Sequence, residues 1–255
     1  MGRFLVGATA LMACAGSALA QFGSINSLAE APYWFGDFMG RSDLTITNNG
    51  MSGIRFEDRN FTGSGWANRH HAALAENGVP YLFQPNQSFR FDVDVIIQGA
   101  GRTEAGIWHG TAPFYPNSGN ADVGQFVLLP DNNGEIAAFG GRLPFFSNNQ
   151  PENSGMVRSG RNQTIHLTLI YDAASAPRTY QYGVDGVFTP LKIEGIDTAG
   201  FLPDSLMGVY VQGPNGQPLS GDVDVTFTNL SITVPAPASA ALLAPIGLAA
   251  LRRRR

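Results

Sequence analysis

Strict alternation of apolar and polar residues is the feature that most limits how this chain can fold. Apolar side chains occupy every second position from Phe89 to Ile97, and again from residue 165 to residue 171. A period of two is typical of β-strands with one buried face. Between residues 21 and 233 the sequence shows no comparable 3.6-residue period. The alternation therefore predicts an all-β body.

Turn signals separate these strands and suggest how they connect. Asp185-Gly186 is a dipeptide typical of a type I′ hairpin turn. In the final strand the alternation shifts by one residue near Asn229, which predicts a β-bulge. About ten antiparallel strands in one body predict a two-sheet β-sandwich. The shorter predicted strands are residues 44–47, 54–57, 105–109, 124–129, 135–139, 179–184 and 207–211.

Charge is scarce, and its sign argues against one class of partner. Only 14% of the 255 residues are charged, and the formal net charge is −4. Without Arg3 and the C-terminal arginines, eleven basic residues remain against 20 acidic ones. Such a body repels phosphate, so we expect no nucleic-acid partner.

The first 20 residues have the three parts of a secretory signal peptide. Arg3 gives the positive start, an apolar stretch follows, and Ala18 and Ala20 form the small-residue cleavage site before Gln21. Signal peptidase is therefore an expected partner, and the protein is expected to be exported. The single cysteine, Cys14, also lies in a lipobox-like context, which leaves lipidation as an alternative.

The last 22 residues contain a proline-marked break, an apolar stretch at 238–251 and four arginines. This order resembles the PEP-CTERM sorting signal of bacterial surface proteins, with alanine where that family usually has glutamate. The resemblance implies handling by an exosortase, transient anchoring in the inner membrane by a short apolar helix, and a final location at the cell surface or envelope. The residues that carry it are Val234, Pro235, Pro237, Arg252, Arg253, Arg254 and Arg255.

The body resembles the concanavalin A-like jelly-roll group, which includes laminin G-like modules and laminarinase-type glucanases. The resemblance rests on residues 89–95, 104–108, 180–186 and 206–232. It implies an antiparallel two-sheet jelly roll with an affinity for polysaccharide. The predicted organisation is a signal peptide at 1–20, an N-terminal extension at 21–43, the β-sandwich at 44–233 and the sorting segment at 234–255.

A pair of carboxylates on one strand face would indicate glycoside hydrolysis, which uses two such groups. Laminarinase-type enzymes carry Glu-x-Asp-x-Glu on one strand face, and this sequence has no such motif. The nearest approaches are Asp92 with Asp94 and Asp222 with Asp224. We interpret them as solvated outer-face residues, with a Ca²⁺ site as the alternative.

The histidines give little support for a metal site or a catalytic role. His70-His71 lacks a third ligand at a zinc-type spacing, so no metal is predicted. His109 and His166 are interpreted as strand residues that hydrogen-bond to neighbours. No cofactor is predicted, and the sequence favours a non-catalytic protein while leaving an enzyme open.

One set of residues predicts a ligand-binding surface. If Ala105 and Ile107 face the core, Glu104 and Trp108 share the opposite face. An aromatic ring among carboxylates and amides is typical of a sugar-binding surface. The alternative is that Trp108 packs beneath the loop at 113–116. The full candidate set is Trp108, Glu104, Asp92, Asp94, Tyr210 and Gln212.

These observations predict an exported, surface-sorted, non-catalytic β-sandwich that binds extracellular polysaccharide or serves in the envelope or matrix. Two other functions stay open: a divergent glycoside hydrolase or lyase of the concanavalin A-like group, and a purely structural envelope protein.

Processing at both ends can be tested directly. We expect the surface form from the native host to begin at Gln21 and to lack Arg252–Arg255, because both terminal segments are interpreted as targeting signals that are removed by cleavage. Intact-mass measurement checks this, and a surface form that keeps either end would contradict the sorting interpretation.

Overall fold

The computed structural model describes residues 22–30, 35–36, 43–59, 67–111, 123–196, 198, 200–214 and 222–233. The predicted signal peptide with its cleavage site, and the predicted sorting segment from Val234 onward, lie outside these residues. Within the described ranges, no helix has the length and apolar character needed to cross a membrane.

All regular structure in the described part is strand, apart from two short 3-10 helices at Gly50–Ser52 and Pro151–Asn153. In chain order the strands are β1 (Ser27–Glu30), β2 (Phe35–Gly36), β3 (Asp43–Asn48), β4 (Gly53–Arg59), β5 (Ala67–Glu76), β6 (Val79–Pro80), β7 (Phe89–Ile97), β8 (Glu104–Thr111), β9 (Val123–Leu129), β10 (Glu135–Phe139), β11 (Phe146–Ser147), β12 (Thr164–Asp172), β13 (Thr179–Val184), β14 (Val187–Phe188), β15 (Lys192–Ile193), β16 (Ser205–Pro214) and β17 (Val223–Thr233).

These strands form two antiparallel sheets. Sheet 1 has the order β1-β5-β16-β8-β9-β10-β11, with β2 and β6 also paired to β5. Sheet 2 has the order β14-β13-β12-β7-β17-β4-β3, with β15 also paired to β13. Neighbours in the sheets are often distant in the chain, as expected for a jelly roll. The predicted all-β, two-sheet antiparallel sandwich is confirmed, and every strand predicted from alternation is present.

The core lies between the two sheets and is filled by the alternating apolar residues. Phe91, Val93 and Val95 of β7 are fully buried and face inward from sheet 2. Across the interface, Phe126 of β9 meets Tyr182 of β13 with ring centroids 5.0 Å apart. The period of two therefore defines one wall of the core, because a strand buries every second side chain on the same face.

Both specific turn predictions are confirmed. Asp185 and Gly186 have φ values of 46° and 78°, and Val184 pairs with Val187, as in a two-residue type I′ hairpin. In β17 the pairing with β7 shifts between Thr228 and Ser231, around Asn229 with φ 53°. This is the predicted bulge, and it keeps the later apolar residues of β17 directed toward the core.

Sheet 1 contains a long strand that the alternation analysis does not predict. β5 spans ten residues and lies between β1 and β16. Alanine dominates its second half, and alanine has low strand propensity, so the pattern is weak there. β1 pairs with β5 and Leu28 joins the core, so the sandwich begins before the boundary drawn at residue 44.

The adjacent histidines of β5 point to opposite faces of sheet 1. His70 faces inward, where its Nε2 lies 2.9 Å from Oδ2 of the equally buried Asp58 in β4. Its ring stacks on Phe56 with centroids 6.3 Å apart. His71 faces outward. Because the two imidazoles are on different sides of the sheet, they do not act as a pair.

His109 does not have the hydrogen-bonded environment that the sequence suggested. Its side chain is 1% exposed and its ring stacks on Phe201 at 4.2 Å. Neither ring nitrogen has a hydrogen-bond partner in the described part of the chain. Burial, together with the positive charge of Arg142, lowers the pKa of His109 to about 3. This histidine is a neutral core residue.

His109 should make the fold sensitive to acid. Its pKa is about 3 when folded and about 6.5 when unfolded, so only the unfolded chain takes up the proton between these values. Stability should therefore fall as pH drops through this window, by about 1.4 kcal/mol per pH unit from this group. Urea unfolding at pH 7 and pH 4.5 measures the loss, and His109→Leu should lose less over the same interval. Equal losses in both proteins would contradict this origin.

Candidate functional site

The outer face of sheet 1, which is directed away from the core, carries most of the predicted site. Alternation places Ala105 and Ile107 in the core, and Glu104 and Trp108 on the opposite side, as expected. β5, β16, β8 and β9 are adjacent strands, so their outward residues form a continuous grid. We call the following residues the outer-face cluster: Arg69, His71, Glu104, Trp108, Gln125, Tyr210 and Gln212.

One row of this grid is charged and polar. Gln212 of β16 pairs directly with Arg69 of β5 on one side and Glu104 of β8 on the other. Directly paired residues of an antiparallel sheet share a face and have neighbouring side chains. The row therefore presents a guanidinium, an amide and a carboxyl group side by side.

The next row is aromatic. Tyr210 of β16 pairs with His71 of β5, and their rings are 5.2 Å apart. His71 also meets Trp108 edge to face, with centroids 4.7 Å apart. The Tyr210 hydroxyl donates a hydrogen bond to Oε1 of Gln212, which connects the aromatic row to the polar one. Trp108 in turn pairs with Gln125 of β9.

Glycines occupy the positions between these side chains. Gly106 pairs with Tyr210, and Gly208 pairs with Trp108. A Cβ at Gly106 would lie 2.1 Å from the Phe126 carbonyl oxygen, and one at Gly208 would lie 2.0 Å from the Ala72 carbonyl oxygen. Larger residues are excluded at both positions, so the aromatic side chains of this face alternate with positions that have none.

The cluster is buried, which corrects the expectation of an open stacking surface. Trp108 and Gln212 are each 1% exposed and Tyr210 is fully buried. Trp108 and Tyr210 belong to a second apolar cluster, separate from the main core. Glu104 is half-buried and is the most accessible of the predicted residues on this face. The predicted covering loop at 113–116 lies outside the described residues.

Burial changes the acid–base properties of Glu104. Desolvation raises the pKa of its carboxyl group, and the positive charges of Arg102 and Arg69 oppose that shift without cancelling it. A carboxyl group with a raised pKa keeps its proton at higher pH and can donate it.

Tyr210 is held in its neutral form. Burial raises the pKa of its hydroxyl well above the ordinary value, and the negative charge of Glu104 raises it further. Arg69 and a hydrogen bond with Gln125 act in the opposite direction. The phenol therefore serves as a hydrogen-bond donor.

Asp92 and Asp94 do not belong to this site, which is a second correction. Both lie on β7 in sheet 2, on the other side of the sandwich from Glu104 and Trp108. His166 lies between them, with Nδ1 2.6 Å from Oδ1 of Asp94 and Nε2 3.2 Å from Oδ1 of Asp92. The six predicted residues therefore divide into four on one outer face and two on the other.

The two aspartates are already engaged by protein groups. Arg90 donates two hydrogen bonds to Asp92, at 2.7 and 2.9 Å, and Thr168 donates a third at 2.7 Å. Burial alone would raise the pKa of Asp92, but these donors and the nearby His166 hold it below its ordinary value. Asn229 donates to Oδ2 of Asp94 at 2.7 Å. No group of three metal-ligating side chains occurs in the described part of the chain.

Sequence reasoning missed three members of the outer-face cluster. Arg69 and His71 lie on β5, the strand without a clear alternation signal. Gln125 lies on the predicted strand β9, where its outward position could have been counted by the same alternation that placed Glu104. Arginine and glutamine are mostly exposed in proteins, so Gln125 at 6% exposure and Arg69 at 8% distinguish this face from a simple packing surface.

Comparison with known proteins gives no match by sequence and several by structure. The sequence matches no family model and no curated protein. A structure from work on human gut microbiota members that express endo-acting O-glycanases to initiate mucin breakdown is 10% identical, with a TM-score of 0.50 over 84% of this chain and 96% of that chain.

Two further structures are similar at lower scores. An endo-1,3-β-glucanase from Streptomyces sioyaensis is 14% identical, with a TM-score of 0.47 over 75% of this chain and 79% of that one. A sialidase is 13% identical, with a TM-score of 0.42; the match covers 83% of this chain but only 19% of the sialidase. At 10% identity, the structure with a TM-score of 0.50 supports a similar overall fold and nothing finer.

Burial of Trp108 leads to a prediction about stability. Trp108→Ala should destabilise the fold by about 3–5 kcal/mol, because it removes a buried indole and leaves a cavity. Phe145→Ala is the matched control: that ring is 52% exposed, and its loss should change stability by less than about 0.5 kcal/mol. Chemical denaturation of both variants measures the difference, and equal small effects would mean that Trp108 is accessible.

Proposed function

We propose that this chain is an exported β-sandwich protein that binds extracellular polysaccharide through the outer face of sheet 1. The observation that carries the proposal is the outer-face cluster itself. It combines a guanidinium, two amides, a carboxyl group, a phenol, an imidazole and an indole on adjacent strands of one sheet face. Sugars present hydroxyl groups that both donate and accept hydrogen bonds, and rings that pack on aromatic side chains.

The energetics of the cluster support a role beyond packing. A sheet face that only had to be covered would be most stable with apolar side chains, since taking polar groups out of water costs free energy that hydrogen bonds within the protein only partly recover. Here Arg69, Gln125 and Gln212 are all nearly buried. Their retention is explained if they hold in place the groups that orient a ligand.

Access to the site is expected at the charged row. Glu104 is half-buried and its neighbour Arg102 is exposed. Both groups stay in contact with solvent, so a glycan would meet this end first. The buried Tyr210 and Trp108 then form the inner part of the site.

Export and surface location form part of the same proposal. They rest on the signal peptide predicted at 1–20 and the sorting segment predicted at 234–255, which imply signal peptidase and an exosortase as partners during export. Cell-envelope or surface polysaccharide would then be the ligand within reach.

A divergent glycoside hydrolase or lyase is the second candidate, and the Glu104–Tyr210 pair favours it. A carboxyl group with a raised pKa and a neutral phenol supply one proton donor and one hydrogen-bond donor on the same face. However, retaining hydrolysis needs two carboxyl groups about 5 Å apart, and the cluster holds one. For this reason we place binding first.

Binding can be tested with paired glutamine variants. Gln212→Ala removes the residue between Arg69 and Glu104, so retention on the bound polysaccharide should weaken by about tenfold or more, equivalent to about 1.4 kcal/mol. Gln181→Ala, on the outer face of sheet 2, should bind as the parent protein does. A glycan array with the full chain identifies the ligand, and melting temperatures of both variants separate lost binding from lost folding.

Glu104→Gln distinguishes binding from catalysis. A hydrolase or lyase that uses this carboxyl group would lose turnover and keep its affinity. A binding protein would show no turnover in either form. If the folded parent protein bound no glycan on the array, the purely structural envelope role would be favoured.

A further inference from the structure

A group of exposed apolar side chains lies at one edge of sheet 2, remote from the outer-face cluster. Leu191 is 62% exposed and Ile196 is 68% exposed. Together they belong to a set that falls within residues 187–196, which we call the edge patch: Val187, Phe188, Leu191, Ile193 and Ile196. Five of the eight large apolar side chains that are exposed among the described residues fall in this stretch, and such a concentration of exposed apolar surface marks an interaction site.

The edge patch extends onto the outer face of sheet 2. The Phe188 ring lies over Gly183, where a Cβ would come within 2.6 Å of its Cε1 atom. The Arg90 guanidinium lies 5.8 Å from the centroid of the same ring. The apolar surface therefore reaches from the edge strands β14 and β15 toward β7, near the middle of the sheet.

The last described strand ends beside this surface. Thr233, the final residue of β17, pairs with Arg90, which pairs with Ile170, which pairs with Gln181 of β13. The edge strands pair with β13 immediately beyond. Strands are about 4.8 Å apart, so four spacings place the edge strands β14 and β15 about 19 Å from Thr233.

The chain beyond Thr233 is long enough to span this distance. Residues 234–237 contain two prolines, which favour an extended conformation of about 3.1 Å per residue, so these four residues and the next two together reach about 19 Å. The rest of the apolar stretch 238–251 is therefore within reach of the edge patch. A segment tethered this closely has an effective concentration on the order of millimolar, which a second copy of the protein would not reach in dilute solution.

We propose that the edge patch is an intramolecular docking site for the C-terminal apolar segment 238–251. Docking covers the apolar surfaces of both partners while the segment is outside a membrane. Membrane insertion or cleavage of the segment uncovers the patch. This proposal is independent of glycan binding, because the patch and the outer-face cluster lie on different sheets.

Cysteine cross-linking in the full chain tests the proposal. In a Cys14→Ser background, Leu191→Cys is combined with Leu243→Cys, and mild oxidation is followed by non-reducing electrophoresis and peptide mass mapping at dilute protein concentration. The matched control combines Leu82→Cys with Leu243→Cys, since Leu82 is also an exposed leucine, at 46%, but lies outside the edge patch. Docking predicts that the 191–243 disulfide forms in at least about tenfold higher yield than the 82–243 disulfide.

Two outcomes would overturn the proposal. Equal yields of the 191–243 and 82–243 disulfides would mean that the segment does not prefer the patch. A predominant 191–191 disulfide between two chains would assign the patch to self-association. Hydrogen exchange of residues 187–196 provides a second readout: Leu242→Asp with Leu243→Asp in the full chain should speed exchange there and leave residues 79–82 unchanged. Unchanged exchange at 187–196 would also contradict docking.

Discussion

The structure depends on sheet 1 having two buried faces. The inward side chains of β5, β16, β8 and β9 close the core against sheet 2, and their outward side chains are buried as well. A strand with one buried face tolerates almost any polar residue on the other, whereas these strands are constrained on both sides. Gly106 and Gly208 add a constraint within the sheet, because a Cβ at either position would meet the backbone of the neighbouring strand.

This double burial also explains how the candidate site is held. Each of its side chains projects from the interior of a strand, with paired strands on both sides, and none depends on the conformation of a loop among the described residues. Ladder hydrogen bonds fix the spacing between rows, and the Tyr210–Gln212 contact connects them. Sheet 2 follows a different principle. Its outer face is partly exposed, and the carboxylates of Asp92 and Asp94 are hydrogen-bonded locally by Arg90, His166 and Asn229.

Alternation was sufficient to predict the strands of the sandwich and the bulge, and the dipeptide Asp185-Gly186 was sufficient to predict the I′ turn, because these features depend on local sequence. It also placed Glu104, Trp108, Tyr210 and Gln212 on one face correctly. It could not assign Asp92 and Asp94 to the opposite sheet, since strand order is set by long-range pairing. Nor could it show that Trp108 is buried, because an outward position in a strand does not reveal what covers it. The weak signal of alanine-rich β5 hid Arg69 and His71.

The bulge at Asn229 has a consequence for how the length of this chain can change. Three residue steps on β17, from Thr228 to Ser231, oppose two on β7, from Asp94 to Asp92, so one residue is supernumerary. Deleting it would leave every flanking pair aligned and Leu230 still directed inward, with only the amide contact to Asp94 lost. Related proteins could therefore gain or lose a residue here without rearranging either sheet, which makes position 229 a natural point for insertion and deletion in the middle of a strand that is otherwise fixed in register.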